Sequence, residues 1–138
     1  MARILAIDYG KARTGIAISD PLGIIAQPLE TYTGRQLEQH VADLVQEQDV
    51  IRVLVGMPLH MSGEKGEQAQ EVDAFISRLQ AALSIPIQTV DERLTSVEAE
   101  RQLHAVGKKI GADKGAVDRR AAAIMLQSYL DSQSGTNG

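Results

Sequence analysis

Residues 3 to 19 constrain this chain more than any other segment. Two apolar runs, Ile4-Leu5-Ala6-Ile7 and Ile16-Ala17-Ile18, flank a turn that contains Gly10 and is closed by Gly15. The pattern predicts a strand from Arg3 to Asp8, a tight turn, and a second strand from Gly15 to Ser19. Asp8 closes the first run, and two cations, Lys11 and Arg13, stand in the turn. A charge at the end of a buried strand needs a metal, a cation or a ligand as partner. Which of these Asp8 has largely decides what the chain does.

The remaining pattern alternates. Gly23 to Tyr32 reads as a returning third strand, with Pro28 suited to a sheet edge. Leu37, Val41, Leu44 and Val45 form a helical stripe, and Val50 to Gly56 is a β-branched run typical of a buried strand. A loop from Met57 to Gly66 precedes a second helical stripe at Ala69, Val72, Ile76, Leu79 and Leu83. Ile85 to Val90 is a further strand, ending in Asp91-Glu92-Arg93. Thr95 and Glu98 have capping-box spacing and start a helix that contains Leu103 and Val106 and stops at Gly107. Residues 107 to 116 hold three glycines and read as a mobile loop. Val117, Ala121, Ile124, Met125 and Ser128 mark a last helix. Residues 1–131 are expected to form a single domain, and 132–138 a disordered polar tail.

Three meandering strands pair antiparallel, while two later strands each follow a helix and return parallel to the first. The expected architecture is α/β: a mixed five-stranded sheet with helices on both faces. At 138 residues the chain can bury a sizeable core. Its apolar runs are too short to span a membrane, and no signal or transit peptide is expected, which fits a cytoplasmic protein. The chain has no cysteine, excluding disulfides, thiolate zinc sites and cysteine nucleophiles. A formal net charge of −4 is unlike a dedicated nucleic-acid binder. Between Gly107 and Arg120, however, Lys108, Lys109, Lys114, Arg119 and Arg120 face only Asp113 and Asp118.

In open α/β sheets, ligands sit beyond the C-terminal ends of the parallel strands. Asp8 ends the first strand, and Asp91 and Glu92 end the last, so both arrive at one edge. Asp118, in the first turn of the last helix, can reach the same edge if that helix crosses the sheet. Converging carboxylates repel unless cations neutralise them, and hard oxygen donors select Mg²⁺ or Mn²⁺. Two such ions ~4 Å apart suit an in-line phosphoryl displacement, with Asp8 bridging and Glu92 and Asp118 each holding one. Asp91 is the alternative ligand to Glu92; it can instead pair with Arg93.

Four blocks then resemble the YqgF/RuvX family. They are Asp8-Tyr9-Gly10 with Arg13, Gly15 and Ser19-Asp20; Gly56-Met57-Pro58-Leu59 with Gly63; Asp91-Glu92-Arg93-Leu94-Thr95-Ser96; and Val117-Asp118 with Ala121-Ala122, Ile124-Met125-Leu126 and Tyr129-Leu130. They span nearly the whole chain in the family's order. The resemblance implies a ribonuclease H-like fold, a divalent-metal nuclease site with Asp8, Glu92 and Asp118 as the acidic triad, and a cytoplasmic role in maturing the 5′ end of pre-16S rRNA. Holliday-junction resolution is the alternative role. Arg13 and Arg93 would touch phosphate or orient carboxylates. The implied partners are pre-rRNA, branched DNA or ribosomal particles, bound by a monomer or a homodimer. Lys11, Lys108, Lys109 and Lys114 are further candidate substrate contacts. One departure stands in the loop after Pro58, where His60 replaces the family's Asn.

Two rival readings stay open. The Asp8 hairpin also resembles the phosphate hairpin of actin-like ATPases, although those proteins need a second lobe to enclose nucleotide. A non-catalytic nucleic-acid-binding module would keep the fold without turnover, but clustered carboxylates do not help it bind an anion. Three Tyr, one Phe and no Trp offer little for base stacking.

Overall fold

The computed structural model describes residues 3–60, 62–94 and 114–135. Five strands form one sheet: β1 (Arg3–Asp8), β2 (Thr14–Ser19), β3 (Ala26–Tyr32), β4 (Val50–Met57) and β5 (Ile87–Asp91). The order across the sheet is β3-β2-β1-β4-β5. β1 pairs antiparallel with β2 from Leu5↔Ile18 to Asp8↔Gly15, and β2 pairs antiparallel with β3. β4 joins β1 in parallel, and β5 joins β4 in parallel, ending at Met57↔Asp91. The expected mixed sheet, with three antiparallel strands and two parallel additions, is therefore what the chain forms.

β3 is an edge strand, and Pro28 sits where a missing amide is tolerated. The register jumps from Ile16↔Glu30 to Ala17↔Pro28, so a bulge absorbs Leu29. β3 begins at Ala26, three residues later than the sequence pattern suggests. The backbone amides of Ile24 and Ile25 donate to Asp20 Oδ1 and are spent on that turn. Gly23, at φ 70°, supplies the left-handed conformation that the turn needs.

Alternation along the strands sorts side chains onto two faces. Leu5, Ile7, Ile16, Ile18, Val53 and Val55 enter a core with α1 (Leu37–Glu47) and α2 (Glu67–Ala82). Val41, Val72, Phe75 and Leu79 complete this side. Phe75, which the sequence reading passed over, is fully buried and stacks on Tyr9 with ring centroids 4.7 Å apart. It lies three residues after Val72 and four before Leu79, on the same helical stripe. The other face carries Ala6, Ala17 and Leu54 against Ala121, Ala122, Met125 and Leu126 of α3 (Lys114–Gly135). Small residues on both partners let α3 lie close to β1, β2 and β3. Helices thus cover both faces, as expected.

Both ends of α3 differ from expectation. Residues 114–116 are helical rather than part of a loop. The hydroxyl of Thr31 donates to the Gly115 carbonyl and ties this end to β3. α3 also runs to Gly135, so residues 132–135 are helix rather than tail. Ser132 Oγ donates to the Tyr129 carbonyl 2.8 Å away, which holds that last turn on the helix. Asp118 therefore lies beyond the first turn of α3, out of reach of most of the helix-dipole effect. The helix expected from Thr95, Lys108 and Lys109 lie outside the described residues. No helix among the described residues is long and apolar enough to cross a membrane.

Candidate active site

Asp8 ends β1 on the α3 face and is 7% exposed. Gly15 is its antiparallel partner. A Cβ on Gly15 would collide with the Asp118 backbone carbonyl, so α3 lies directly on this strand. Without a side chain at Gly15, the backbone of Asp118 comes down beside Asp8.

Glu92 reaches the same face by a different route. β5 ends at Asp91, and Glu92 opens a 3₁₀ turn spanning Glu92–Leu94. Its side chain lies over Gly56 near the end of β4. A Cβ added at Gly56 would stand 2.8 Å from Glu92 Oε1 and 2.9 Å from Met125 Sδ. Glu92 is 9% exposed. Two glycines on the strands that flank β1 thus open the space into which Glu92 and the Asp118 segment fit. The sequence displayed both glycines, but not what packs on them.

Asp91 is committed elsewhere. Its Oδ2 accepts from Arg93 Nη2 at 2.7 Å, and its Oδ1 accepts from the Arg93 backbone amide at 2.9 Å. The Arg93 guanidinium holds the Asp91 carboxyl below the usual carboxylate range, and Asp91 in turn raises Arg93. Arg93 also reaches the His60 carbonyl at 3.4 Å, linking the end of β5 to the loop after β4. The His60 ring packs against Gly66, where a Cβ would collide with it.

The turn cations separate. Arg13 Nε donates to Asp118 Oδ2 at 2.8 Å. Lys11 instead leans toward α2, where its ammonium meets Glu71 Oε1 at 2.8 Å and its pKa is raised by that carboxylate. A cleft of about 340 Å³ opens there, lined by Tyr9, Gly10, Lys11, Glu67, Gln68 and Glu71, on the α2 side of the turn. Lys11 is thus kept from the α3 side by a residue sixty positions downstream. Lys114 begins α3.

Asp8, Glu92 and Asp118 share a face and a sheet edge. Yet among the described residues no three acidic or histidine side chains stand as a ready metal cage. The Asp118 carboxylate is held by Arg13. Like charges gathered in a half-buried site repel, and a guanidinium within hydrogen-bond reach is a strong competitor for one of them.

Comparison with known proteins fits this geometry. The family model described as RuvX, Holliday junction resolvase, matches residues 2–132. This chain belongs to the RuvX family. A relative from Chloroflexus aurantiacus named "Putative pre-16S rRNA nuclease" is 48% identical over 94% of this chain and 87% of its own. One of the same name from a Synechococcus strain is 45% identical, over 94% of this chain and 89% of its own. Among solved structures, Thermus thermophilus RuvC in complex with a Holliday junction substrate aligns with a TM-score of 0.65 at 16% identity. That match covers 99% of this chain and 98% of the other. Fowlpox virus resolvase, also with junction DNA, gives 0.52 at 11% identity, covering 95% and 98%. At such identities the likeness is one of fold, and the fold of this RuvX chain is the ribonuclease H-like one.

Proposed function

We propose that this RuvX-family chain is a divalent-metal-dependent nuclease that hydrolyses phosphodiester bonds of precursor 16S rRNA in the cytoplasm. The observation that carries the reading is the arrival of Asp8, Glu92 and the Asp118 segment on one face of one sheet edge. They come from three separate segments, and two glycines keep the space open. An all-oxygen donor set of this kind fits Mg²⁺ or Mn²⁺, with Asp8, Glu92 and Asp118 as holders and Asp91 kept on Arg93. When bound, the cation supplies Lewis-acid stabilisation of charge building on the phosphate.

The chain's own residues have assignable tasks. The buried settings of Asp8 and Glu92 hold their carboxylates in place and limit water around them. Arg13, in the turn above β2, is 36% exposed and can meet a substrate phosphate. Arg93 fixes Asp91 and the Met57–Gly66 loop, and so orients the turn that carries Glu92. Lys108, Lys109 and Lys114 would follow the nucleic-acid backbone beyond the site.

The relatives' names favour ribosomal RNA precursors over junction DNA, while the family's description keeps the junction as the second reading. Cleavage of a precursor 16S 5′ leader beside a four-way junction, with Mn²⁺, separates them. Asp8→Asn should lose cleavage of the preferred substrate with an unchanged circular dichroism spectrum. Full activity in that variant would overturn the assignment. Sedimentation of the enzyme alone and with substrate tells monomer from homodimer.

A further inference from the structure

Arg13 and Asp118 are 105 residues apart in sequence, yet they form a direct ion pair at the edge of the carboxylate site. Both ends are anchored at the backbone. Gly10 is packed against the Arg13 carbonyl so tightly that a Cβ there would collide, and the Gly10 amide and carbonyl both bond the Thr14 hydroxyl. At the other end, the Asp118 carbonyl rests on Gly15. Side-chain rotation alone can therefore make or break the pair. Both side chains retain the solvent access that rotation needs, at 36% and 23% exposure. Asp118 is also one of the three carboxylates proposed above to hold the divalent cation.

We propose that the Arg13–Asp118 pair is a latch, released by substrate, on the divalent-cation site. In the absence of a phosphodiester, the Arg13 guanidinium holds the Asp118 carboxylate. A phosphate oxygen competes for the same guanidinium, and Asp118 then turns to join Asp8 and Glu92 around the cation. Cation and phosphate thereby bind with positive coupling, each favouring the state that the other needs. The latch makes Arg13 a positioning residue for Asp118 as well as a phosphate contact. It rests on the metal reading given above.

The test needs no turnover. Mg²⁺ is titrated calorimetrically into wild type, Arg13→Gln, Asp118→Asn and the double variant, without nucleic acid. The latch predicts that Arg13→Gln binds Mg²⁺ roughly two- to fivefold more tightly than wild type, the range for a partly exposed ion pair. The gain must vanish when Asp118→Asn is already present, because the latch acts only through that carboxylate. A gain that persists in the double variant is simple removal of a positive charge and overturns the latch. So does an Arg13→Gln affinity equal to or weaker than that of wild type, and either result leaves the metal reading intact. As a second readout, Mg²⁺ should move the Arg13 Nε–H signal of wild type in ¹H–¹⁵N spectra, assigned by its loss in Arg13→Gln. An unmoved signal at saturating Mg²⁺ also overturns the latch. Absence of Mg²⁺ binding in every variant overturns the metal reading, and the latch with it.

Discussion

Gly15 and Gly56 offer a way to separate packing from chemistry, because the same substitution meets different neighbours at the two positions. At Gly15 an added Cβ runs into the backbone of Asp118 and Arg119. Backbone cannot rotate aside, so α3 must lift from the sheet, and overpacking of this kind costs about 1–3 kcal/mol, here toward the upper end. Replacing glycine returns about 0.4–1 kcal/mol by restricting the unfolded chain. The net cost is about 2 kcal/mol, or a melting temperature lower by roughly 4–8 °C. At Gly56 the Cβ meets Glu92 Oε1 and Met125 Sδ, the far ends of two side chains that can repack. Gly56→Ala should therefore stay within about 1 kcal/mol of wild type. It nonetheless displaces the Glu92 carboxylate, and a shift of the order of 1 Å at a reacting centre can cost about 10²-fold in rate. Thermal denaturation followed by circular dichroism, alongside a cleavage assay on precursor 16S leader RNA, reads both quantities. The reasoning fails if Gly15→Ala melts with wild type, or if Gly56→Ala cleaves as fast as wild type.

Phe75→Ala removes a fully buried ring stacked on Tyr9 and should cost about 3–5 kcal/mol in urea denaturation. Asp91→Asn should be less stable than wild type near neutral pH, because Arg93 lowers the folded pKa of Asp91. That contribution is present above the ordinary value of 3.8 and is lost as the pH falls through the lower folded value. The urea midpoints of the two proteins should accordingly converge below about pH 4, and a gap that persists in acid would refute the pairing as its source. Neutralising Lys108, Lys109 and Lys114 together should weaken nucleic-acid binding and flatten its dependence on salt concentration, and an unchanged slope would remove these lysines from the interface.

What the sequence disclosed, and what it withheld, follows from the range of each signal. Strand periodicity is local, so β1 appears at the expected residues Arg3–Asp8, and Pro28 announces an edge. Ends set by a distant partner are not local. β3 starts late because Asp20 captures two amides. Residues 114–116 are already helical, in a turn tied to Thr31 of β3, and α3 runs on past Ser132. The site divides along the same line. The Asp91–Arg93 pair could be read from the sequence, whereas the partners of the two turn cations could not. Lys11 and Arg13 are two residues apart in one turn, and the pattern gives no reason to treat them differently. Tertiary structure sends one to Glu71 on α2 and the other to Asp118 on α3. The glycines carry the argument furthest. Gly15 and Gly56 look like ordinary breaks in apolar strands, yet each faces a carboxylate-bearing segment from elsewhere in the chain. A missing side chain at a strand end beside a buried Asp is thus a site signal in its own right, since it marks where a second segment must come close enough to share that carboxylate's surroundings.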